Sequence, residues 1–184
     1  MTASASIPVL ADAASTDLLG TASGNWRLDP ASTTIEFHTK AMWGLSKVRG
    51  TFAAVSGAGA LGDHNSISGE LVIDAASVDT GNRRRDKHLR AAEFFDVSNY
   101  PTLAFTATEV APSADGTLTI KGTLRVRDHS EPVELVAVPT AASPDRLIVT
   151  AETTIDRTKW GMRWAKMGAG LINRVVVVAQ FVRR

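Results

Sequence analysis

The sequence predicts an all-β protein built from one antiparallel sheet that closes into a barrel or splits into a sandwich. From residue 26 onward, apolar and polar residues alternate in short runs, and LTIKGTLRV at residues 118–126 has one apolar and one polar face, as a half-buried strand does. The connectors carry turn residues, as in GAGALGDHNS, PSADG and AASPD, and their shortness favours antiparallel neighbours. Closure removes the open edges at which a large sheet aggregates.

About eight strands are expected, each from its own alternating run. The first, TTIEFHTK at residues 33–40, places Ile35 and Phe37 on one face and polar side chains on the other. The other runs span Val48–Val55, Gly69–Val78, Leu103–Val110, Leu118–Val126, Val133–Val138, Leu147–Ile155 and Val175–Val182. Their inward faces mix large with small residues, which fits either a packed core or a barrel that holds a small ligand.

Length and charge favour a single domain that does not bind nucleic acid. The chain has 184 residues, enough for one domain with a sizeable core. Its 20 basic and 19 acidic residues give a net charge of +1, whereas a nucleic-acid binder must neutralise many phosphates. There is no cysteine, which excludes disulfides and thiolate metal sites. No run approaches the roughly 20 apolar residues of a membrane helix.

Residues 1–24 are interpreted as a flexible N-terminal tail ahead of one domain at residues 25–184. The tail is rich in Ala, Ser and Thr, a composition that predicts disorder. It has neither the basic start nor the continuous apolar run of a secretory signal. We therefore expect a cytoplasmic protein.

No motif for catalysis, nucleotide binding or metal binding has the context that it needs. GAGALG, Gly57–Gly62, matches G-x-G-x-x-G, but a turn and another strand follow it where a helix is required, so we predict a hairpin loop. The four histidines lie far apart, outside any paired metal-ligand motif. A G-x-S-x-G nucleophile motif is absent. We expect no metal and no cofactor.

Two segments depart from the strand pattern. Arg83–Asp96 combines five basic with three acidic residues, which favours a solvated helix with internal ion pairs over a phosphate contact. Residues 156–174 contain two tryptophans and two methionines that fit either the wall of an apolar pocket or a plug at one end of a barrel. These four residues are Trp160, Met162, Trp164 and Met167.

Several stretches of the chain together resemble the YceI-like family. They are WRLDPASTTIEFHTKAMWGLSKVRGTF near the start, VDTGN and RDKHLRAAEFFDVSNYPTLAF in the middle, then GTLRVRDHSEPVEL and the late IDRTKWGM. They follow the family's order over residues 25–184. The resemblance implies an extended antiparallel barrel of about eight strands, similar to the lipocalins, with a short helical excursion near residues 82–96. It also implies a long apolar tunnel for isoprenoid or other lipid chains, and no catalytic residues.

The resemblance further implies which side chains contact the ligand. The tunnel lining in the family is apolar and aromatic, and the faces assigned to the matching positions follow our strand pattern. The ligand-binding residues expected are Phe37, Met42, Trp43, Phe52, Leu71, Ile73, Leu89, Phe94, Phe95, Phe105, Leu124, Trp160, Met162, Trp164 and Met167. Arg85 and Asp86 either tie the excursion to the barrel as an ion pair or touch a polar headgroup.

The leading hypothesis is noncatalytic binding, storage or transport of an isoprenoid-like or other long-chain apolar lipid. Two alternatives stay open. One is an enzyme that acts on an apolar substrate in the cavity and recruits His38 or Asp156 for acid-base chemistry. The other is an interaction module that docks through Arg83–Arg90 on an anionic membrane or a partner, in a salt-sensitive manner. An apolar lipid is the expected partner, and an exposed strand edge is compatible with a homodimer.

Overall fold

A computed structural model describes residues 23–61, 67–113 and 115–184, with the side chains of Leu61, Ile67, Thr140, Ala141, Ala142 and Met167 outside the description. These ranges contain nine strands and one α-helix, joined by turns and short 3-10 segments. The strands are β1 (Gly24–Leu28), β2 (Thr34–Ala41), β3 (Ser46–Leu61), β4 (Ile67–Asp79), β5 (Thr102–Pro112), β6 (Leu118–Val126), β7 (His129–Ser143), β8 (Arg146–Asp156) and β9 (Ile172–Arg183), and the helix is α1 (Arg83–Arg90). No helix in the described ranges is long and apolar enough to cross a membrane.

Eight strand positions close into one antiparallel barrel. Hydrogen bonds join the strands in the order β3, β2, β9, β8, β7, β6, β5 and β4, and β4 pairs back with β3. β1 also lies between β3 and β9 and pairs with both, so it continues the place of β2 in the barrel wall at the other end of these two strands. The barrel and the helical excursion predicted from the sequence are confirmed.

The two ends of the barrel differ in their connections. One end, called the mouth, carries the links between β2 and β3, β4 and β5, β6 and β7, and β8 and β9, at residues 42–45, 80–101, 127–128 and 157–171. The opposite, far end carries tight links such as Pro144–Asp145 between β7 and β8. Long connections, and with them α1, are therefore gathered at the mouth.

The prediction that GAGALG is a hairpin loop is wrong. Residues 57–61 continue β3 and pair with β4, and residues 58–61 also pair with β1 on the other side, while Gly62 lies outside the described residues. Glycine and alanine have a weak preference for strands, but two neighbouring strands supply hydrogen bonds to both edges of this one. At Gly57 a side chain would lie 2.9 Å from the Glu70 carbonyl oxygen and from Leu28. The small residues thus permit a close approach that larger ones would prevent.

The remaining differences from the predicted strands concern length. β1 has only five residues, too few for a distinct alternation. β3 and β7 run well beyond the stretches Val48–Val55 and Val133–Val138 that alternate most clearly. Residues 1–22 lie outside the described part of the chain, so the flexible tail stays a prediction.

Thr80, just after β4, fastens α1 to the barrel. The buried carboxylate of Asp86 accepts hydrogen bonds from the backbone N–H of Thr80 at 3.0 Å and from its hydroxyl at 2.5 Å. Arg85 donates through Nε to the same hydroxyl at 2.7 Å and through Nη2 to the Thr80 carbonyl at 3.0 Å. Arg85 and Asp86 therefore connect helix and strand through a shared partner rather than as the direct ion pair that we considered.

Asp86→Ala is expected to lower the free energy of unfolding by about 1–3 kcal/mol, because the Thr80 N–H and hydroxyl lose their acceptor. Lys87→Ala is the matched control, since Lys87 is exposed on the same helix and its loss should change stability by no more than about 0.5 kcal/mol. Urea denaturation measures both variants. Equal effects of the two substitutions would contradict the role assigned to Asp86.

Candidate functional site

The barrel encloses two adjoining cavities. The near cavity, of about 760 Å³, lies at the mouth between β2, β3, α1 and the residues after β8. The far cavity, of about 250 Å³, lies toward the far end and is lined by residues of all nine strands. Small-molecule sites typically measure about 300–1,000 Å³, so the near cavity is large enough to hold a ligand on its own.

A ring of aliphatic side chains lies between the two cavities. Its members come from β2, β4, β6, β8 and β9, and each of them lines both cavities. The ring consists of Ile35, Ile73, Leu124, Ile155 and Val175. A long chain that occupied both cavities would have to pass between these side chains, so their size sets the width of the passage.

Most of the side chains expected in the tunnel do line a cavity. Eleven of them lie along the near cavity, and two of these eleven, Ile73 and Leu124, belong to the ring and also line the far one. The eleven are Phe37, Met42, Phe52, Ile73, Leu89, Phe94, Phe95, Leu124, Trp160, Met162 and Trp164. Leu71 and Phe105 line the far cavity alone. Their contact with a ligand stays a prediction, and the Met167 side chain lies outside the described part.

The structure does not place Trp43 in the wall. Its side chain is 82% exposed and lines neither cavity. The strand alternation that carried the prediction ends at Ala41, and Met42 and Trp43 follow with positive φ values of 51° and 56°. This reversal of the backbone aims the indole outward, whereas Met42 remains at the rim of the near cavity.

Sequence reasoning missed the side of the barrel formed by β7, β8 and β9. Val149, Ala151 and Ile155 of β8 face the interior, together with residues of the neighbouring strands. Their spacing by multiples of two is visible in the sequence and marks one strand face. Alternation alone cannot tell a face that lines a cavity from one that lies on a packed core, so these residues carried no distinct signal.

Aromatic side chains form two chains of contacts along the near cavity. Phe52 lies between Phe37 and Phe95, with ring centroids 5.6 Å and 5.3 Å away. His88 of α1 meets Phe94 edge-on at 5.0 Å and the indole of Trp164 at 4.6 Å. Edge-to-face and tilted geometries at these distances are favourable, so they hold α1 and the residues after β8 against the barrel.

Two glycines allow phenylalanine rings to lie flat along the wall. Gly50 is the cross-strand partner of Phe37, and a side chain there would collide with the Phe37 ring. A side chain at Gly122 would likewise collide with the ring of Phe105 and with the Thr106 carbonyl oxygen. Because each ring covers a glycine on the next strand instead of pointing at the barrel axis, large residues line the interior without filling it.

Arg157 shapes the segment that covers the mouth. The residue is 6% exposed, and its guanidinium donates to the backbone carbonyls of Met162, of Trp164 at 2.6 Å and of Gly170 at 2.9 Å. It also lies over the Phe94 ring at 5.1 Å from the centroid, a favourable cation–π distance. Burial lowers the pKa of Arg157 from its usual value, but an arginine so far above neutrality stays charged.

Among the described residues, charged groups line the near cavity in larger number than the far one, where Glu70 is the single charged residue. Arg84, Arg85 and Lys166 border the near cavity. Farther along the strands, Glu36 pairs with Arg49, and the hydrogen bond between them holds the pKa of that carboxylate below its usual value. Within the described ranges, no group of His, Asp or Glu side chains could hold a metal ion.

The architecture and its apolar interior define a closed barrel of the lipocalin-like class. Within that class the chain belongs to the YceI-like family, because a model of the YceI-like domain matches residues 26–182. Among curated relatives, a UPF0312 protein of Yersinia enterocolitica is 36% identical over 113 residues, which are 60% of this chain and 58% of the relative. One of Vibrio cholerae is 33% identical over 104 residues, 55% of each chain. The match thus spans little more than half the length of these relatives.

Solved structures agree with this assignment at the level of the fold. Burkholderia cenocepacia BcnA superimposes with a TM-score of 0.68 at 18% identity, covering 85% of this chain and 99% of BcnA. A polyisoprenoid binding domain of Saccharophagus degradans, implicated in plant cell wall breakdown, gives 0.68 at 17% identity, with 86% and 98% covered. At these identities the likeness shows that the barrels share one fold.

Arg157→Lys is expected to destabilise the protein by about 1–3 kcal/mol, because the three N–H groups of an ammonium sit on one nitrogen and cannot reach the three carbonyls that the guanidinium binds through three separate nitrogens. Loss of near-UV circular dichroism from the neighbouring tryptophans should accompany the change. Arg163→Lys, in the same segment but exposed, is the control and should leave both signals unchanged. Wild-type stability in Arg157→Lys would refute the role of the guanidinium.

Proposed function

We propose that this protein binds an isoprenoid-like or other long-chain apolar lipid in its barrel, without catalysis, for storage or transport. The observation that carries the proposal is the pair of adjoining cavities joined through a ring of aliphatic side chains. An interior that is long, apolar and closed to water on its sides suits a flexible hydrocarbon chain. A polar ligand would make few favourable contacts with this wall, and a compact ligand would leave most of it uncovered.

Hydrocarbon burial alone supplies enough affinity for such a role. Each buried CH₂ contributes about 0.8 kcal/mol, so ten buried groups contribute roughly 8 kcal/mol before the costs of association. No charged anchor is required for useful binding. The same non-directional force makes the site tolerant of chain length and saturation, so long as the chain passes the ring.

Likeness to other barrels supports the proposal. The Saccharophagus degradans domain of the same fold is described as a polyisoprenoid binding domain, and the present chain belongs to the YceI-like family. We extend lipid binding to this chain because its own cavities have the shape and apolar lining for it.

The enzyme alternative finds no support in the residues that it needs. His38 and Asp156, the candidates for acid-base chemistry, line neither cavity. The Asp156 carboxylate instead accepts hydrogen bonds from the backbone N–H of Thr158 at 2.9 Å and from its hydroxyl at 2.7 Å, at the start of a 3-10 turn. The cytoplasmic location and the homodimer stay predictions.

Native mass spectrometry of the freshly purified protein, followed by solvent extraction, tests the proposal. We expect a stoichiometric lipid with a long apolar chain, lost on organic extraction and regained when an isoprenoid quinone or fatty acid is offered. A protein that purifies empty and takes up neither compound would overturn the function proposed here.

Val175→Phe is expected to block the ring and make binding selective for short chains. The short isoprenoid alcohol geraniol should still enter the near cavity, whereas the long alcohol solanesol should bind at least about tenfold more weakly, since each CH₂ kept out of the far cavity costs about 0.8 kcal/mol. Val176→Phe, on the adjacent position that lines neither cavity, is the control.

Titration of both alcohols by competition with a fluorescent fatty acid measures the effect. Thermal unfolding of both variants shows whether the larger side chain merely overpacks the barrel, which typically costs about 1–3 kcal/mol. Equal weakening of the two alcohols in a folded Val175→Phe protein would argue against passage through the ring.

A further inference from the structure

An exposed group of large apolar side chains stands at the mouth of the barrel. We call Met42, Trp43 and Leu45 the apolar tip; these side chains are 53%, 82% and 87% exposed. Single exposed apolar residues are ordinary, but several together mark an interaction site. The tip has the two most exposed large apolar side chains among the described residues.

The backbone holds the apolar tip outward. Met42, Trp43 and Gly44 have consecutive positive φ values of 51°, 56° and 93°, which for the two non-glycine residues is an unfavourable conformation that the surrounding structure must maintain. Gly168 supplies part of that support, because any side chain there would collide with the backbone and ring of Trp43. The Gly170 N–H adds a hydrogen bond to the carbonyl of Lys40 at 2.7 Å. The exposure is therefore built into the turn.

The apolar tip borders the entrance of the near cavity. Met42 belongs both to the tip and to the cavity wall, next to Lys40 and Ala41. Lys166, in the segment after β8 that packs against the tip through Gly168, also lines the cavity. Whatever surface covers the tip will thus lie against the mouth itself.

Basic residues are concentrated at the same end. The four connections at the mouth, 42–45, 80–101, 127–128 and 157–171, contain ten basic and four acidic residues, whereas the whole chain has 20 and 19. Lys40, Lys47 and Lys166, which we call the basic rim, are exposed around the tip. None of the three forms an ion pair with an acidic residue in the described ranges. The rest of the chain therefore carries the excess of acidic groups.

We propose that the apolar tip and the basic rim dock the mouth of the barrel onto an anionic lipid bilayer. Tryptophan and leucine side chains insert at the boundary between headgroups and acyl chains, and lysines around them are attracted to anionic headgroups. A second copy of the chain fits this surface less well, because two mouths facing each other across a two-fold axis would bring like charges together. The surface chemistry thus matches a membrane.

Docking goes beyond lipid binding in the barrel and does not require that the barrel be occupied. If the proposed function also holds, the near cavity would open directly at the bilayer surface. A hydrocarbon chain could then move between membrane and barrel without crossing water, which the cost of exposing apolar area disfavours.

Cosedimentation with phospholipid vesicles tests the docking surface. The vesicles are phosphatidylcholine alone or phosphatidylcholine with phosphatidylglycerol, and the variants are Trp43→Ser/Leu45→Ser and Lys40→Gln/Lys47→Gln/Lys166→Gln. The control is Val136→Ser, another exposed apolar residue, which lies on β7 and is 51% exposed. All the replaced residues are exposed, and circular dichroism checks that each variant is folded.

Wild type and Val136→Ser are expected to bind the anionic vesicles, more weakly at high salt because the charges are then screened. The apolar-tip variant should bind at least about tenfold more weakly, since two large side chains no longer insert. The basic-rim variant should lose its preference for anionic over neutral vesicles.

Absence of wild-type binding to anionic vesicles would overturn the proposal, and so would equal binding by the apolar-tip and Val136→Ser variants. A dimer in sedimentation velocity that disappears in the apolar-tip variant would assign the surface to a second copy instead. Because extraction of lipid from purified protein is measured separately, an empty barrel that still binds vesicles would refute the proposed function and leave the docking surface intact.

Discussion

The pairing of β3 with β4 is the constraint on which the rest of the molecule depends. Without it the strands would form an open sheet with two long edges, and the apolar faces would have no interior to share. The pairing extends from Leu61 opposite Ile67 to Thr51 opposite Asp79, with two register shifts near Ala54 that change the course of β3. Such irregularities increase local twist and help a sheet to curve. The curvature that closes the barrel therefore also creates the space inside it.

A closed barrel of eight strands can be filled or hollow, and the packing of a few large residues leaves this one hollow. Phe37 and Phe105 lie against glycines of the adjacent strands, and the ring lies between the two cavities without filling either of them. Branched aliphatic and small residues make up most of the remaining wall. The protein therefore combines a stable hydrogen-bonded shell with an interior whose affinity for hydrocarbon comes from area alone.

The mouth depends on polar groups that are themselves buried. Asp86 fixes α1 through Thr80, and Arg157 gathers three carbonyls of the segment that follows β8. Burying such groups is favourable only when their hydrogen bonds are satisfied. By holding two long connections in place, these two residues also position the basic side chains and the aromatic rings that surround the near cavity.

The sequence by itself determined the all-β class, most of the strands and part of the inward-facing set, because alternation with a period of two is a local property of the chain. It also determined the helical excursion through the residues that resemble the YceI-like family. Only the tertiary structure decided that residues 57–61 form a strand, since hydrogen bonds from β1 and β4 override the weak strand preference of glycine and alanine. It likewise decided that Trp43 points outward, because a turn with positive φ interrupts the alternation there. The contribution of β8 and β9 to a cavity depends on how tightly opposite walls pack, and no local pattern records that distance.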